Sequence, residues 1–331
     1  MSVAPESRYE AFLEAVPEYP GITCLSLNRP KSKNAISVNL LKACTTELTE
    51  CLDTVQFDNT YEYSLLISSV SSLKDNNIDS TRVLILKSTT PDAFCAGADL
   101  VERRSMSQLQ VNKFLSDLRA ALGKLENLPV PTIAAIDGPA LGGGLEMSLA
   151  CDLRVAGELL SLLADMCLEL TDRPSRVGRS VTKIGLPETS LGIIPGAGGT
   201  QRAARILGIS KAKDLIYTAR MLSSSEALEC GKAAVFKCWT HWANYIFTGL
   251  VDYVSDTTAY ERSLEVAEKI SRNAPLALRA AKQAISRSED LALEAGLDLE
   301  RTAYETLIPT KDRIEALNAF KEKRRPQFRG E

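Results

Sequence analysis

A buried strand, a run of glycines and a helix follow one another without a break between residues 131 and 150. PTIAAIDG (131–138) is an apolar strand that stops at glycine, and PALGGGLEMSLA (139–150) continues it. Glycine admits positive φ angles and close backbone approach, so Gly142–Gly144 predict a tight turn that exposes amide groups at a helix N-terminus. Glu146 lies on that apolar helix, where an ionised carboxylate is costly unless something requires it. The order strand, turn, helix predicts an α/β fold.

The rest of the chain divides into three parts. Strand and helix patterns alternate up to about Leu222, whereas residues 261–307 are almost entirely helical in pattern and 311–331 continue them with a charged tail. We therefore expect an N-terminal extension (1–20), an α/β core (21–249) and a C-terminal helical region (250–331). The segments near 61–80, 158–181 and 234–248 fit the alternation poorly and are interpreted as insertions.

Composition excludes several classes of function. The chain has 331 residues, 45% of them hydrophobic, and a formal net charge of −3, so no overall basic field would attract nucleic acid or anionic lipid. A single histidine, His241, argues against a zinc site or a histidine-based triad. The eight cysteines form no CxxC pair, which favours reduced, mostly buried thiols.

Three features together suggest acid–base chemistry. Glu188 in GLPETSLGIIPGAGGT is a second carboxylate among apolar residues and glycines, and two such carboxylates in one pocket can hold a water and divide the acid and base roles. In AFCAGADL (93–100), the Ala98 amide can form a two-donor oxyanion hole with that of Gly143. Taken singly, each glutamate also fits a helix cap or a surface position. Each run of glycines, taken singly, also fits an ordinary packing turn.

The segments FCAGADL, GPALGGGLEMSLACDLRVAG and GLPETSLGIIPGAGGTQR, in this order and spacing, closely resemble the enoyl-CoA hydratase (crotonase) superfamily. LNRPKSKNAIS near the start and IPTKDRIEALNAFKEKRRPQFRGE at the end also match, and the ending looks most like the methylglutaconyl-CoA hydratase branch. The resemblance implies an α/β spiral of ββα units of the ClpP/crotonase-like type, with a C-terminal α-helical oligomerisation region that forms a homotrimer or a dimer of trimers.

The resemblance also assigns roles to the residues. It implies that Ala98 and Gly143 bind the thioester oxygen, that Glu146 is the base toward water, and that Glu188 delivers a proton to the α-carbon. The residues implied to bind coenzyme A are Arg29, Lys31, Ala96, Asp99, Leu100 and Lys323, with Lys33 as a further cation. Coenzyme A enters as part of the substrate, and no metal or separate cofactor is implied.

Two departures from the family pattern bear on binding. Relatives usually carry a lysine directly after ADL, where this chain has Val101, and Arg103 or Arg104 is a candidate substitute. One member of the branch binds AU-rich RNA through a lysine-rich helix, whereas the corresponding helix here sets Lys42 against Glu47, Glu50 and Asp53. That charge would repel phosphates, so we expect no nucleic acid partner, and no membrane partner either.

The function that we expect is a hydro-lyase activity, the reversible syn addition of water to a 2,3-unsaturated acyl-CoA. The acyl group is 3-methylglutaconyl, as in leucine breakdown, or a short chain, as in fatty-acid oxidation. Both glutamates are present, which favours hydration over isomerisation, yet an enoyl-CoA isomerase and a catalytically impaired assembly or RNA-binding protein remain alternatives. The branch implies the mitochondrial matrix; the N-terminus shows no clear presequence, so the cytosol and peroxisome also stay open.

Overall fold

The computed structural model describes residues 9–54, 81–90, 93–157, 182–235 and 245–331, and gives the backbone alone at 53–54, 232–235 and 245–248. The expected insertions 61–80 and 158–181, and His241, lie outside this part of the chain. Its strands are β1 (Ala11–Ala15), β2 (Ile22–Leu27), β3 (Val83–Ser88), β4 (Thr132–Ile136), β5 (Ala140–Leu141), β6 (Leu153–Gly157), β7 (Ile184–Gly185), β8 (Lys232–Val235), β9 (Tyr245–Thr248) and β10 (Tyr253–Ser255).

Helices fill the connections and the C-terminal end. They are α1 (Val38–Thr54), α2 (Leu100–Ser105), α3 (Gln108–Glu126), α4 (Gly143–Leu149), α5 (Gly199–Leu207), α6 (Ile209–Thr218), α7 (Ser224–Glu229), α8 (Ala259–Ser271), α9 (Pro275–Ser286), α10 (Leu293–Leu307) and α11 (Lys311–Glu322), with 3₁₀ helices at Pro30–Ser32 and Pro187–Leu191. Within the described ranges, no helix combines the length and the apolar character that a membrane crossing needs.

The main sheet has the strand order β1-β2-β3-β4-β6-β10. The β1–β2 pair is antiparallel and the others are parallel. All residues of β2 and β4 are buried, as a parallel sheet covered on both faces requires. Alternate side chains along each strand point to opposite faces of the sheet. Leu25 and Leu86 pack in the core on the face covered by α1 and α3, whereas Cys24 and Ile85 pack in the core on the face covered by α8.

Each of the two outer regions contains a strand of the main sheet. The expected N-terminal extension contains β1, which pairs with β2 from Ala11 opposite Leu27 to Ala15 opposite Thr23. The expected C-terminal helical region contains β10, which pairs with β6 in the main sheet. The helical pattern of 311–331 ends at Glu322, and the residues after it are not helical. The sequence pattern does not predict these short edge strands, because three to five residues are too few to show a clear apolar periodicity.

The expected insertion 234–248 is described in part. The strand Lys232–Val235 pairs antiparallel with Tyr245–Thr248, so this stretch begins and ends on the two arms of a hairpin. The hairpin is separate from the main sheet.

The C-terminal helices differ in how far they are covered. Helix α8 lies on the sheet with Val266 and Ala267 buried, whereas α9 and α10 contain no buried residue. Their exposed large apolar side chains are Ile285, Leu293, Leu297 and Tyr304. A helix with an apolar face normally buries it, so this region presents a surface suited to contact with another chain.

Candidate active site

Glu146 lies on the first turn of a helix that is buried along its whole length. Helix α4 begins after Gly142, whose φ of +51° reverses the chain at the helix start. The Glu146 side chain is almost fully buried, and its Oε1 accepts hydrogen bonds from the amides of Ala197 and Gly199, each at 2.8 Å. The buried carboxylate therefore has partners, and both of these bonds end on the same oxygen, which leaves Oε2 outside them.

Burial and hydrogen bonding act on Glu146 in opposite directions. Burial raises the pKa of the carboxyl above its usual value, because the charged form loses its hydration. The two amides from Ala197 and Gly199 and the positive charge of Arg202 lower the pKa again without cancelling the rise. The group is thus a stronger base than an exposed glutamate.

Pairing of two short strands brings Glu188 to the start of the same helix. Strand β5 leads into α4, and it pairs in parallel with β7, which leads into the 3₁₀ helix that carries Glu188. The Gly142 amide donates to the Gly185 carbonyl at 2.9 Å. A Cβ placed on Gly142 would lie 3.1 Å from Glu188 Oε1, so the carboxylate sits directly over this glycine.

Glu188 is the more strongly perturbed of the two acids. Burial, countered in part by its own backbone amide and increased by the charge of Glu146, raises its pKa to about 7. The two carboxylates are therefore close enough for the charge of one to act on the other. Glu188 Oε2 is buried without a hydrogen-bond partner among the described residues. A carboxyl that is about half protonated at neutral pH and has one unpartnered oxygen is suited to giving and taking a proton.

The raised pKa of Glu188 has a consequence for stability. The unfolded chain loses this proton near the ordinary pKa of 4.5, whereas the folded chain keeps it up to a pKa of about 7. The free energy of unfolding therefore decreases as the pH rises from 4.5 to 7. We expect Glu188→Gln to increase the free energy of unfolding by about 2–3 kcal/mol at pH 8 and by nothing at pH 4. Urea unfolding at both pH values measures this.

The control for this experiment is Glu226→Gln. Glu226 caps α7, and its hydrogen bonds with Ser223 lower the pKa of this carboxyl, so its removal should decrease stability at pH 8. The two variants therefore shift stability in opposite directions. Equal losses of stability at both pH values in Glu188→Gln would contradict the burial argument.

Two backbone amides lie side by side at the start of α4. Ile36 bridges to Ala98, and the hydrogen bonds of this bridge use the Gly97 carbonyl and the Asp99 amide. The Ala98 amide therefore stays outside the bridge. The Gly143 amide is the first of the helix and has no carbonyl partner one turn earlier within it.

The distances around Gly97 and Gly143 show that the Ala98 and Gly143 amides are close neighbours. A Cβ placed on Gly143 would lie 3.7 Å from the Ala98 nitrogen, and one placed on Gly97 would lie 3.5 Å from the Gly143 nitrogen. Gly97 has a φ of +93°, and its added Cβ would also meet the Leu141 carbonyl oxygen at 2.7 Å, so a side chain here is excluded. Two adjacent donors of this kind can hold a developing negative charge on oxygen.

The residues expected to bind coenzyme A fall into two groups. Arg29 and Asp99 contact each other, at 3.2 Å between Nη2 and Oδ2, and Arg29 also pairs with Glu10 and donates to the Ala35 carbonyl. Asp99 caps α2 by accepting from the Val101 and Glu102 amides. Both side chains are therefore engaged in holding the loop that carries Ala98.

The second group is exposed. Lys31 lies in the 3₁₀ turn, and Ala96 and Leu100 flank the Ala98 loop. Lys323 follows α11 in the left-handed region, at φ +56°. Lys33 is also exposed, and the Ala96 amide donates to its carbonyl at 3.0 Å, which joins the lysine turn to the Ala98 loop.

Sequence reasoning missed the loop that holds Glu146. GAGGTQR (196–202) contains no lysine and therefore does not match a phosphate-binding loop, and the sequence alone assigns it no partner. The structure shows that Ala197 and Gly199 are the donors to Glu146 and that Arg202 donates to the Ala197 carbonyl at 2.9 Å. The available signal was the glycine run itself, which allows two amides to converge on one oxygen.

The charges of helix α1 also have a role that the sequence did not show. Glu47 Oε2 accepts a hydrogen bond from the Leu13 amide at 2.8 Å, which ties the helix to strand β1. Partial burial raises the pKa of this carboxyl. Glu47 therefore belongs to the packing of α1 against the sheet as well as to its surface charge.

Comparison with known sequences gives consistent matches along the chain. The sequence model of the family described as "Enoyl-CoA hydratase/isomerase" matches residues 52–164, 157–237 and 245–331. The chain is 44% identical over 314 residues to the enoyl-CoA isomerase/hydratase fer4 of Mycosarcoma maydis, covering 95% of this chain and 94% of that protein. It is 40% identical over 319 residues to the mitochondrial methylglutaconyl-CoA hydratase of Homo sapiens, covering 95% of this chain and 75% of that protein.

Comparison with solved structures agrees. The enoyl-CoA hydratase from Bacillus anthracis superposes with a TM-score of 0.75 at 39% identity, over 97% of this chain and all of that one. A structure of the same description from Geobacillus kaustophilus gives a TM-score of 0.75 at 29% identity, over 98% of both chains.

Proposed function

Because the chain belongs to the enoyl-CoA hydratase/isomerase family, we propose that it is a hydro-lyase that adds water reversibly to the double bond of a 2-enoyl-CoA. The observation that carries this proposal is the pair of buried carboxylates, Glu146 and Glu188, beside the adjacent amides of Ala98 and Gly143. Hydration needs a base for water, an acid for carbon and a site for the charge that forms between the two steps. The site offers each of these groups.

The different environments of the two acids support a different role for each. Glu146, held through Oε1 by two amides, takes a proton from water as the water oxygen bonds to C3 of the substrate. The C2–C3 π electrons move to the thioester, and the carbonyl oxygen becomes an enolate oxygen that accepts hydrogen bonds from Ala98 and Gly143. Glu188 then gives its proton to C2. One proton has left Glu188 and one has reached Glu146, so the pair is ready again after proton exchange with solvent.

The assay for this proposal uses the purified chain with crotonyl-CoA and with 3-methylglutaconyl-CoA. Consumption of the 2-enoyl thioester, with oxygen from labelled water in the product, supports a hydratase. Conversion of a 3-enoyl-CoA into a 2-enoyl-CoA without such incorporation supports an isomerase instead. No turnover of any of these thioesters would overturn the assignment and favour a non-catalytic assembly or RNA-binding role.

The isomerase is a specific second candidate. Shifting a double bond requires one group that removes a proton and returns it, and Glu188, with its unpartnered Oε2 and a pKa of about 7, has the properties for this alone. The fungal relative carries both activities in its name. An isomerase would keep its activity in Glu146→Gln and lose it in Glu188→Gln.

Hydration should depend on pH through the carboxylate pair. The active form holds one proton, on Glu188 for hydration or on Glu146 for dehydration, and these two forms have the same total charge. We therefore expect kcat/KM to decline in both directions as pH rises above the Glu188 pKa of about 7, with the same midpoint. Initial rates in each direction across pH measure this; a kcat/KM that stays level well above pH 7 would contradict it.

The relatives and the surface support proposals for the substrate, the assembly and the location. The human relative is named for methylglutaconyl-CoA, and we propose a short branched or carboxylated acyl chain. Exposed Lys31, Lys33 and Lys323 are the proposed cations for the coenzyme A phosphates, since Arg29 is engaged within the protein.

The uncovered apolar faces of α9 and α10 support self-association as a trimer or dimer of trimers. Relatives named as mitochondrial support the mitochondrial matrix.

A further inference from the structure

The loop that holds Glu146 is fixed from two sides. On one side, Glu146 Oε1 accepts from the Ala197 and Gly199 amides, both at 2.8 Å. On the other side, Nη1 of Arg202 donates to the Ala197 carbonyl at 2.9 Å. Because Ala197 is bonded through both its amide and its carbonyl, a displacement of Arg202 would be transmitted to the donors that orient the carboxylate.

Arg202 is itself held in a rigid arrangement. Its Nε and Nη2 donate to the two carboxylate oxygens of Glu126, at 3.1 and 2.7 Å. Glu126 is the last residue of α3, and the Arg202 side chain is only 15% exposed. A bidentate pair of this kind fixes the plane of the guanidinium. Gly198, at φ +108°, leaves room for Nη1, because an added Cβ at this position would collide with it.

The charge of Arg202 acts on Glu146 as well as on the loop. It lowers the pKa of Glu146, which burial raises. Among the residues that the structure describes, the charged groups that act on Glu146 are Arg202 from α5 and Glu188 from the 3₁₀ helix, and Glu126 on α3 neutralises part of the Arg202 charge. Arg202 therefore favours the carboxylate form of Glu146.

We propose that Arg202 is a positioning residue for Glu146, acting through the Ala197 carbonyl and locked in place by Glu126. It touches no reacting atom. Its role is to hold the 197–199 amides on Oε1 and to favour the carboxylate form of the base. This proposal rests on the proposed function, in which Glu146 is the base toward water.

The test is the pH profile of Arg202→Gln with crotonyl-CoA. At low pH, kcat/KM declines because Glu146 becomes protonated, and we call this decline the acid limb. Loss of the Arg202 charge should move the acid limb to higher pH. Loss of the loop contact should lower kcat by about 10- to 100-fold with KM little changed. Arg202→Lys keeps the charge but not the fork of donors. It should restore the acid limb and recover only part of kcat.

Two further variants separate charge, geometry and folding. Glu126→Gln leaves the Arg202 charge in place, so kcat should fall while the acid limb does not move to higher pH. Arg205→Gln removes the same charge from the exposed side of α5, where Arg205 faces Glu289 and Asp290 at 3.5 Å, and it should behave as the unmodified protein does. Thermal unfolding of each variant shows how much of any loss is structural.

Several outcomes would overturn the proposal. The first is an unchanged kcat and acid limb in Arg202→Gln, and the second is an Arg202→Gln variant that loses thermal stability alone. The third is an acid limb that moves to higher pH equally in Glu126→Gln, because the shift would then come from a loosened loop and not from the lost charge. Failure of the proposed function is distinguishable, because the unmodified protein would then not hydrate crotonyl-CoA, or Glu146→Gln would hydrate it at the full rate. An inactive Glu146→Gln beside a normal Arg202→Gln would refute only the positioning role.

Discussion

Replacing Glu146 or Glu188 by glutamine is expected to lower kcat for hydration by about 100- to 10,000-fold, since each removes one member of an acid–base pair. Glutamine has nearly the same shape, so the fold should be retained. In Glu146→Gln the amide oxygen can still accept from Ala197 and Gly199, which preserves the loop but not the basicity. In Glu188→Gln the buried site loses a proton donor and a source of charge repulsion.

The measurement is kcat and KM with crotonyl-CoA for both single variants and for the double variant. Because the two groups act on one reaction path, the double variant should lose little more than either single one. Thioester binding should remain, as judged by KM or by a non-reactive acyl-CoA. If both single variants kept turnover near that of the unmodified chain, the acid–base mechanism would be wrong.

Replacing Gly143 by alanine is expected to lower kcat by about 100-fold or more, because it disturbs an oxyanion donor. The added Cβ would lie 3.7 Å from the Ala98 nitrogen and 3.0 Å from Cδ1 of Ile36. An enolate oxygen must sit about 3 Å from both amide nitrogens, so the methyl group competes for adjoining space. The tight contact with Ile36 also pushes on the start of α4.

Two controls isolate the donor site. Ile36→Val in the Gly143→Ala background relieves the 3.0 Å contact, so it should restore thermal stability without restoring kcat. Gly123→Ala on α3 introduces a methyl group that meets no atom within 4 Å beyond the backbone of its own helix, and it should leave kcat unchanged. Recovery of full activity in the Gly143→Ala, Ile36→Val double variant would contradict the prediction that the added methyl group competes with the enolate oxygen.

The family and the general architecture were accessible from the sequence. The chain has the α/β crotonase-type fold that its motifs implied, with a parallel-rich sheet followed by helices. Strands such as 132–136 and the long helix 38–54 were recognisable because their apolar patterns are long and regular. The edge strands β1 and β10 were not, because their positions depend on neighbours that are distant in sequence.

The site was only partly accessible. Glu146 and Glu188 could be singled out as carboxylates in apolar surroundings, yet their separation of about forty residues gave no reason for them to meet beyond the resemblance. The β5–β7 pairing brings them together, and it consists of only two residue pairs. Arg29, which the resemblance implied to bind coenzyme A, also pairs within the protein with Glu10, Asp99 and the Ala35 carbonyl, and the sequence did not indicate these contacts.

By itself, the sequence determined which chemical groups are present: two carboxylates in apolar runs, and glycines where the backbone must turn or approach closely. Local composition suffices for this, because glycine geometry and the cost of a buried charge are properties of single residues. The tertiary structure decided which groups act together. Glu188 reaches a pKa of about 7, and Arg202 faces the Glu146 loop, only because burial and charge–charge distances are set by packing between elements far apart in the chain.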